Sequence, residues 1–237
     1  MTVKTKLDLN NIPQHIGIIM DGNRRWAVKN NLPIVKGHEA GAEALDKIVD
    51  YCLELGIKTL TVYALSTENW RKRAREEVGG IFGLLLKIVR ERKEEYKRKG
   101  VQLAVLGEFQ AFPRKVARGI GEVLGIIKEH ERLKVNLALN YGGRDEILRA
   151  VKKIVLEKVP VNKINEKSFG KFLYTSGEQD PDLIIRTGGE IRLSNFLLWQ
   201  MSYSELYFTD TLWPDFSPHK LDLAISEYQK RQRRFGK

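Results

Sequence analysis

Five short polar clusters in this chain combine residue types able to bind and activate phosphate esters. They are D-G-N-R-R-W at Asp21–Trp26, S-T-E-N-W at Ser66–Trp70, N-Y-G-G-R at Asn140–Arg144, R-T-G-G-E-I-R-L-S-N at Arg186–Asn195 and S-E-L-Y-F at Ser204–Phe208. Asp21 stands where an apolar run meets a glycine turn. An aspartate there is either an ordinary turn former or a carboxylate that holds a magnesium ion against a diphosphate. Magnesium takes one or two carboxylates and fills its shell with phosphate oxygens and water. Gly22 lets backbone N–H groups approach an anion, and Arg24 and Arg25 offer bidentate donors. Arg186 and Arg192 flank a Gly-Gly pair with Ser194 beside them. They form a second anion pocket or a plain surface loop. Glu205 reads as a surface glutamate or as a second carboxylate for the same metal. Ser66, Glu68 and Asn69 fit a helix cap or a polar set at the reacting carbon. Trp26 and Trp70 fit a core or an aromatic wall facing a developing cation. His38, in K-G-H, is a surface histidine or a phosphate donor.

The elements that must position these clusters alternate along the chain. Apolar β-rich runs at His15–Met20, Lys58–Leu65, Val101–Leu106, Lys134–Asn140, Leu183–Arg186 and Ser204–Thr209 read as strands. Helical spacing or caps mark Glu39–Leu55, Val78–Lys99, Pro113–His130, Arg144–Glu157 and Pro218–Arg233, with Gly56 and Gly100 as stops. This alternation predicts an α/β fold: one domain over residues 1–237, a mostly parallel sheet of about six strands, helices on both faces. Residues 1–14 are expected to be poorly ordered. In such sheets ligands bind beyond the carboxyl ends of the strands, where these clusters lie.

The bulk properties set limits. The 237 residues are 42% hydrophobic and 30% charged, with a formal net charge of +11. That charge fits an anionic partner: nucleic acid, anionic lipid or a phosphorylated small molecule. Arg71–Lys99 holds eleven Lys/Arg against five Asp/Glu, and Lys230–Lys237 five basic residues and no acid. Both read equally as solvated faces. The single cysteine, Cys52, rules out an internal disulfide and a cysteine-based zinc site, and it agrees with a reducing compartment. With no signal-peptide pattern, the expected location is cytoplasmic, with peripheral membrane contact at most. Phosphate-binding glycine loops, a nucleophile elbow, H-E-x-x-H and D-D-x-x-D are all absent.

Taken together, the clusters resemble the cis-prenyltransferase family, which includes the undecaprenyl diphosphate synthases. The resemblance rests on H-I-G-I-I-M-D-G-N-R-R-W, Y-A-L-S-T-E-N-W, L-N-Y-G-G-R and D-L-I-I-R-T-G-G-E-I-R-L-S-N-F-L-L-W-Q, continuing through S-E-L-Y-F-T-D to an R-R-F-G ending at Gly236. It implies a magnesium-dependent enzyme that condenses isopentenyl diphosphate with an allylic diphosphate and forms cis double bonds and a long polyprenyl diphosphate. It further implies a homodimer with an apolar tunnel and no nucleic-acid partner. Asp21 would hold magnesium, with Glu205 completing the metal site. Gly22, Asn23, Arg24, Arg25 and His38 would bind the allylic diphosphate. Arg186, Arg192, Leu193 and Ser194 would bind isopentenyl diphosphate. Trp26, Ser66, Thr67, Glu68, Asn69 and Trp70 would line the reacting centre, with Asn69 aiding proton removal. Arg73 and Glu77 match a further family pattern, with Arg71 and Lys72 as rivals. Ile34 stands where the family often has arginine, and Lys36 is one candidate to replace it. Ile81, Phe82, Leu84, Leu85, Ile88, Ala64, Leu137 and Leu139 are candidates for the apolar cavity or for core. Two rivals remain: a nucleic-acid-binding protein, and a non-catalytic partner subunit of this fold.

Overall fold

A computed structural model describes residues 7–72, 83, 91–126 and 132–231. Six strands form one sheet in the order β3-β4-β2-β1-β5-β6. They are β1 (His15–Ile19), β2 (Thr59–Ser66), β3 (Val101–Leu106), β4 (Leu133–Tyr141), β5 (Leu183–Arg186) and β6 (Glu205–Phe208). Every pairing is parallel, so the sheet is wholly rather than mostly parallel. β1 and β5 are buried along their whole length and β2 at every residue but Ala64, as strands covered on both faces are.

The helices are α1 (Asn23–Lys29), α2 (Ile34–Leu55), α3 (Thr67–Lys72), α4 (91–99), α5 (Arg114–Ile126), α6 (Gly143–Leu156), α7 (Glu166–Gly170) and α8 (Pro218–Lys230). α2 begins five residues before the position expected from periodicity. Gly56, at φ 75°, ends it in the left-handed conformation that favours glycine. α1, α3 and α7 are too short for a periodic signal. Most of the expected helix Val78–Lys99 lies outside the described residues, as do Arg73, Glu77, Ile81, Phe82, Leu84, Leu85, Ile88 and the tail through Gly236. Residues 7–14 are tied to α8, where Gln229 Nε2 donates to the carbonyls of Asp8 and Asn11 at 2.8 and 2.9 Å.

The alternation of side chains along each strand splits the core. Ile16, Ile18, Leu60, Val62 and Val135 pack with Ile48, Val49 and Cys52 of α2 and Leu221 and Ile225 of α8. On the opposite face Ile19, Tyr63, Ala138 and Ile184 pack with Phe196 and Leu197. A smaller cluster joins α6 and α7 through Ala150, Ile154, Phe169 and Leu173. β1 is flanked by β2 on one side and β5 on the other, so the strand order switches there. Connections leaving β1 and β5 diverge and leave a crevice at their carboxyl ends.

Candidate active site

The crevice is built around Asp21, the second residue after β1. Its backbone is fixed from two distant segments. Its N–H donates to Thr187 Oγ1 at 2.9 Å, and its carbonyl accepts from Trp213 N–H at 3.0 Å and from Thr187 Oγ1 at 2.7 Å. The carboxylate is gripped from both sides. Arg186 Nη2 donates to Oδ2 at 2.9 Å and Arg25 Nη2 to Oδ1 at 3.0 Å. Arg186 is itself buried. Its Nη1 donates to Arg192 O at 2.6 Å and to Ser194 Oγ at 2.7 Å. Its Nε is buried with no acceptor among the described residues, an unmet donor beside the anion pocket. Arg25 reaches this point by crossing Gly188, whose carbonyl accepts from Nη1 at 2.6 Å. A Cβ on Gly188 would come within 2.5 Å of Arg25 Nη2, and φ there is +85°, so only glycine lets the guanidinium pass.

The other strand ends converge on the same point. Ser66 Oγ accepts from Asn69 N–H at 3.0 Å and caps the start of α3. Asn195, at φ 67°, joins three segments. Its carbonyl accepts from Gly143 N–H at 2.7 Å, its Oδ1 accepts from Arg144 N–H at 2.9 Å, and its Nδ2 donates to Glu68 Oε1 at 3.1 Å. Asn195 has no predicted role of its own. Its position inside the R-L-S-N cluster is the signal that points to it, as it does for Thr187 in R-T-G-G.

Together these groups form the mouth of a cavity of about 890 Å³. Asp21, Gly22, Asn23, Arg24, Arg25, His38, Ser66, Glu68, Asn69, Arg186, Arg192 and Ser194 all line it. Below them the wall turns apolar: Ala42, Leu45 and Val49 of α2 face Ala64, Leu103, Val135 and Leu137 of the sheet. From Ser66 down to the level of Leu60, which pairs with Val135, the cavity runs roughly 20 Å at the rise of a strand. One acid interrupts that wall. Asp46 accepts from Tyr96 Oη at 2.7 Å and pairs with Arg92 at 3.2 Å. Burial raises the Asp46 carboxyl above the ordinary aspartate range.

Several predicted residues lie elsewhere. Glu205 opens β6 and pairs in register with Leu183, three residues below Arg186, so it stands about 10 Å down the sheet at its amino end. There it binds Arg231 at 2.7 Å. Within the described chain Glu205 and Asp21 therefore stand at opposite ends of the sheet. No group of three or more metal-ligating side chains forms among the described residues. Trp70 packs edge-on against Phe112 with ring centroids 4.7 Å apart, and Trp26 Nε1 donates to Asp215 at 2.8 Å. Neither lines the cavity. Thr67 is buried beside Gly142, Leu193 packs with the second core cluster, and Leu139 is pure core.

Comparison with known proteins agrees with this geometry. The prenyltransferase family model described as undecaprenyl diphosphate synthase matches residues 19–236. An isoprenyl transferase of Thermotoga maritima is 50% identical over 227 residues, covering 95% of this chain and 97% of that protein. One from Aquifex aeolicus is 47% identical over 226 residues, covering 95% and 96%. Among solved structures, lavandulyl diphosphate synthase from Lavandula x intermedia, in complex with dimethylallyl diphosphate, superposes with a TM-score of 0.91 at 33% identity, covering 96% of this chain and 100% of that one.

Proposed function

The chain belongs to the undecaprenyl diphosphate synthase family of isoprenyl transferases. On that premise we propose that it extends an allylic diphosphate with isopentenyl diphosphate, setting cis double bonds and releasing a long polyprenyl diphosphate. One observation carries this reading: a single cavity is arginine-rich at the strand ends and apolar for the depth below. A substrate with a diphosphate head and a growing hydrocarbon tail matches both halves. A nucleic-acid ligand would have no use for the lower one.

The residues divide the work. Gly22, Asn23, Arg24, Arg25 and His38 bind the allylic diphosphate. Arg186, Arg192 and Ser194 bind isopentenyl diphosphate, held by the ties from Arg186 to Ser194 and to the Arg192 carbonyl. Holding two diphosphates side by side demands fixed cations in a site with little water. The allylic C–O bond breaks and its electron pair leaves with the diphosphate. The isopentenyl double bond attacks the allylic carbon, and a proton is then lost from the adjacent carbon. Asn69, fixed by the Ser66 cap, aids that loss in this reading, and Glu68, held by Asn195, lines the cavity beside it.

Magnesium fits at Asp21, since one partly exposed carboxylate beside a diphosphate pocket is the donor set this ion accepts with phosphate oxygens and water. Bound there, the ion would neutralise the departing diphosphate. A homodimer suits the outer face of α6, where Leu148, Val151 and Val155 stand exposed at helical spacing. We place the enzyme in the cytoplasm, in line with the single cysteine.

The test is incorporation of labelled isopentenyl diphosphate with dimethylallyl, geranyl, farnesyl and geranylgeranyl primers, followed by chromatography of the products. Chain-extended products in magnesium, and none in excess EDTA, support the reading. Undiminished synthesis in EDTA contradicts the metal role, and no extension of any primer contradicts the function.

A further inference from the structure

The turn between α1 and α2 is an exposed apolar segment beside the cavity mouth. Residues 28–36 read V-K-N-N-L-P-I-V-K, and all nine are exposed. Val28 is 69% exposed, Leu32 42%, Ile34 36% and Val35 47%. Such a run costs solubility unless something covers it.

The turn is ordered, so its side chains are held outward. Asn31, at φ 55°, takes the left-handed conformation that ends α1. Leu32 N–H donates to Ala27 O at 2.9 Å and Asn31 N–H to Val28 O at 3.1 Å, closing the helix end with a Schellman pair. Lys36 N–H donates to Pro33 O at 2.9 Å. Below the turn the two helices touch backbone to backbone. A Cβ on Gly37 would lie 2.2 Å from Asn23 O, and one on Gly41 2.3 Å from Asn23 Oδ1. That close approach leaves no space between the helices for the aliphatic side chains.

Charge and position indicate the covering partner. From Gly22 to His38 the chain has four basic residues, Arg24, Arg25, Lys29 and Lys36, and no acid. Glu39, the next acid, bonds Lys36 at 2.6 Å. Aliphatic side chains among cations form the pattern that enters the interface of an anionic bilayer. The turn is continuous with the cavity mouth, because Asn23, Arg24 and Arg25 precede it and His38 follows.

We propose that residues 28–36 are the membrane-contact element of this protein. Val28, Leu32, Ile34 and Val35 enter the headgroup boundary of an anionic lipid surface and set the cavity mouth against it. The inference rests on the reading of the product as a long apolar diphosphate. Such a product must pass into a bilayer, and a mouth set at the lipid surface spares its tail from crossing water.

Co-sedimentation with vesicles tests this without any substrate. The protein should partition onto phosphatidylglycerol-containing vesicles more than onto pure phosphatidylcholine, and added salt should weaken the binding. The variant Val28→Ser/Leu32→Ser/Val35→Ser alters only exposed side chains. It should lose about tenfold or more of that partition while keeping the parent's turnover on a short, water-soluble primer. Three results overturn the proposal: no binding of the parent to anionic vesicles, equal binding of parent and variant, or a change in sedimentation of the variant showing that the turn covers a second copy instead. None of them touches the transferase reading, which stands or falls on turnover in solution.

Discussion

The two ends of this sheet both carry polar clusters, built to opposite plans. At the amino end the groups largely satisfy one another, with the buried Asn136 Oδ1 lacking a donor among the described residues. His15 bonds Gln179 O through Nδ1 at 2.6 Å and Thr61 Oγ1 through Nε2 at 2.8 Å. Asn136 Nδ2 donates to Thr61 Oγ1 and to Glu178 Oε2, and Lys134 Nζ donates to Glu178 Oε1 at 2.5 Å. At the carboxyl end Arg25 and Arg186 converge on the single carboxylate of Asp21, and Arg186 Nε is left without an acceptor. A closed network stabilises the fold. An open one, with more cations than anions, stabilises whatever anion arrives, so the two ends should respond to mutation in opposite ways.

The sharpest way to break this contrast is Asp21→Ala. Turnover should fall by about a thousandfold or more, the scale of losing a central electrostatic group, while circular dichroism and the melting temperature stay near the parent's. Near-normal incorporation of isopentenyl units by this variant would remove Asp21 from the chemistry. Arg186→Lys should come next. A lysine keeps the charge but cannot reach Asp21, Ser194 and the Arg192 carbonyl together, so kcat/KM for isopentenyl diphosphate should drop about a hundredfold. Full activity in the lysine variant would reduce this arginine to a mere charge.

At the closed end the expected effect moves from rate to stability. Glu178→Ala strands Lys134 and one donor of Asn136, and should cost about 2 kcal/mol in denaturant unfolding with no change in turnover per folded molecule. A variant as stable as the parent would show that the network is not what holds this end together.

How much of this was legible in the sequence differs between the ends for the same physical reason. At the carboxyl end the chain gathers its functional groups into short clusters after apolar runs, and cluster position, taken with the family resemblance, pointed to Asp21, Arg25, Arg186 and Ser194. What escaped depends on direction and rotation. Glu205 belongs to such a cluster but opens its strand, and the parallel pairing of β6 sends it to the opposite end. Trp70 follows Asn69 by one residue, yet on the short helix α3 that step turns it away toward Phe112. Asp46 and Tyr96 sit in amphipathic helices as ordinary charged and aromatic positions, and only packing sets them in the cavity wall. At the amino end almost nothing was visible: His15 reads as one more strand residue, because its partners at Gln179 and Thr61 are far along the chain.

The smallest prediction concerns that histidine and pH. Desolvation lowers the His15 pKa from its ordinary value of 6.5, outweighing the Gln179 carbonyl and the charges of Glu178 and Asp182, which raise it. The unfolded chain therefore takes up a proton at a pH where the folded one does not. Stability then rises with pH through this window, and it is lost as the pH falls from 6.5 toward the folded value. Urea unfolding of the parent and of His15→Gln on both sides of this window measures the difference. The parent should lose more stability on acidification than the variant, whose side chain does not titrate, and any fall in turnover over the same range should be shared by both. If the two unfold in parallel, His15 is not the group that senses acid, and the closed end owes its stability to Glu178 and Lys134 alone.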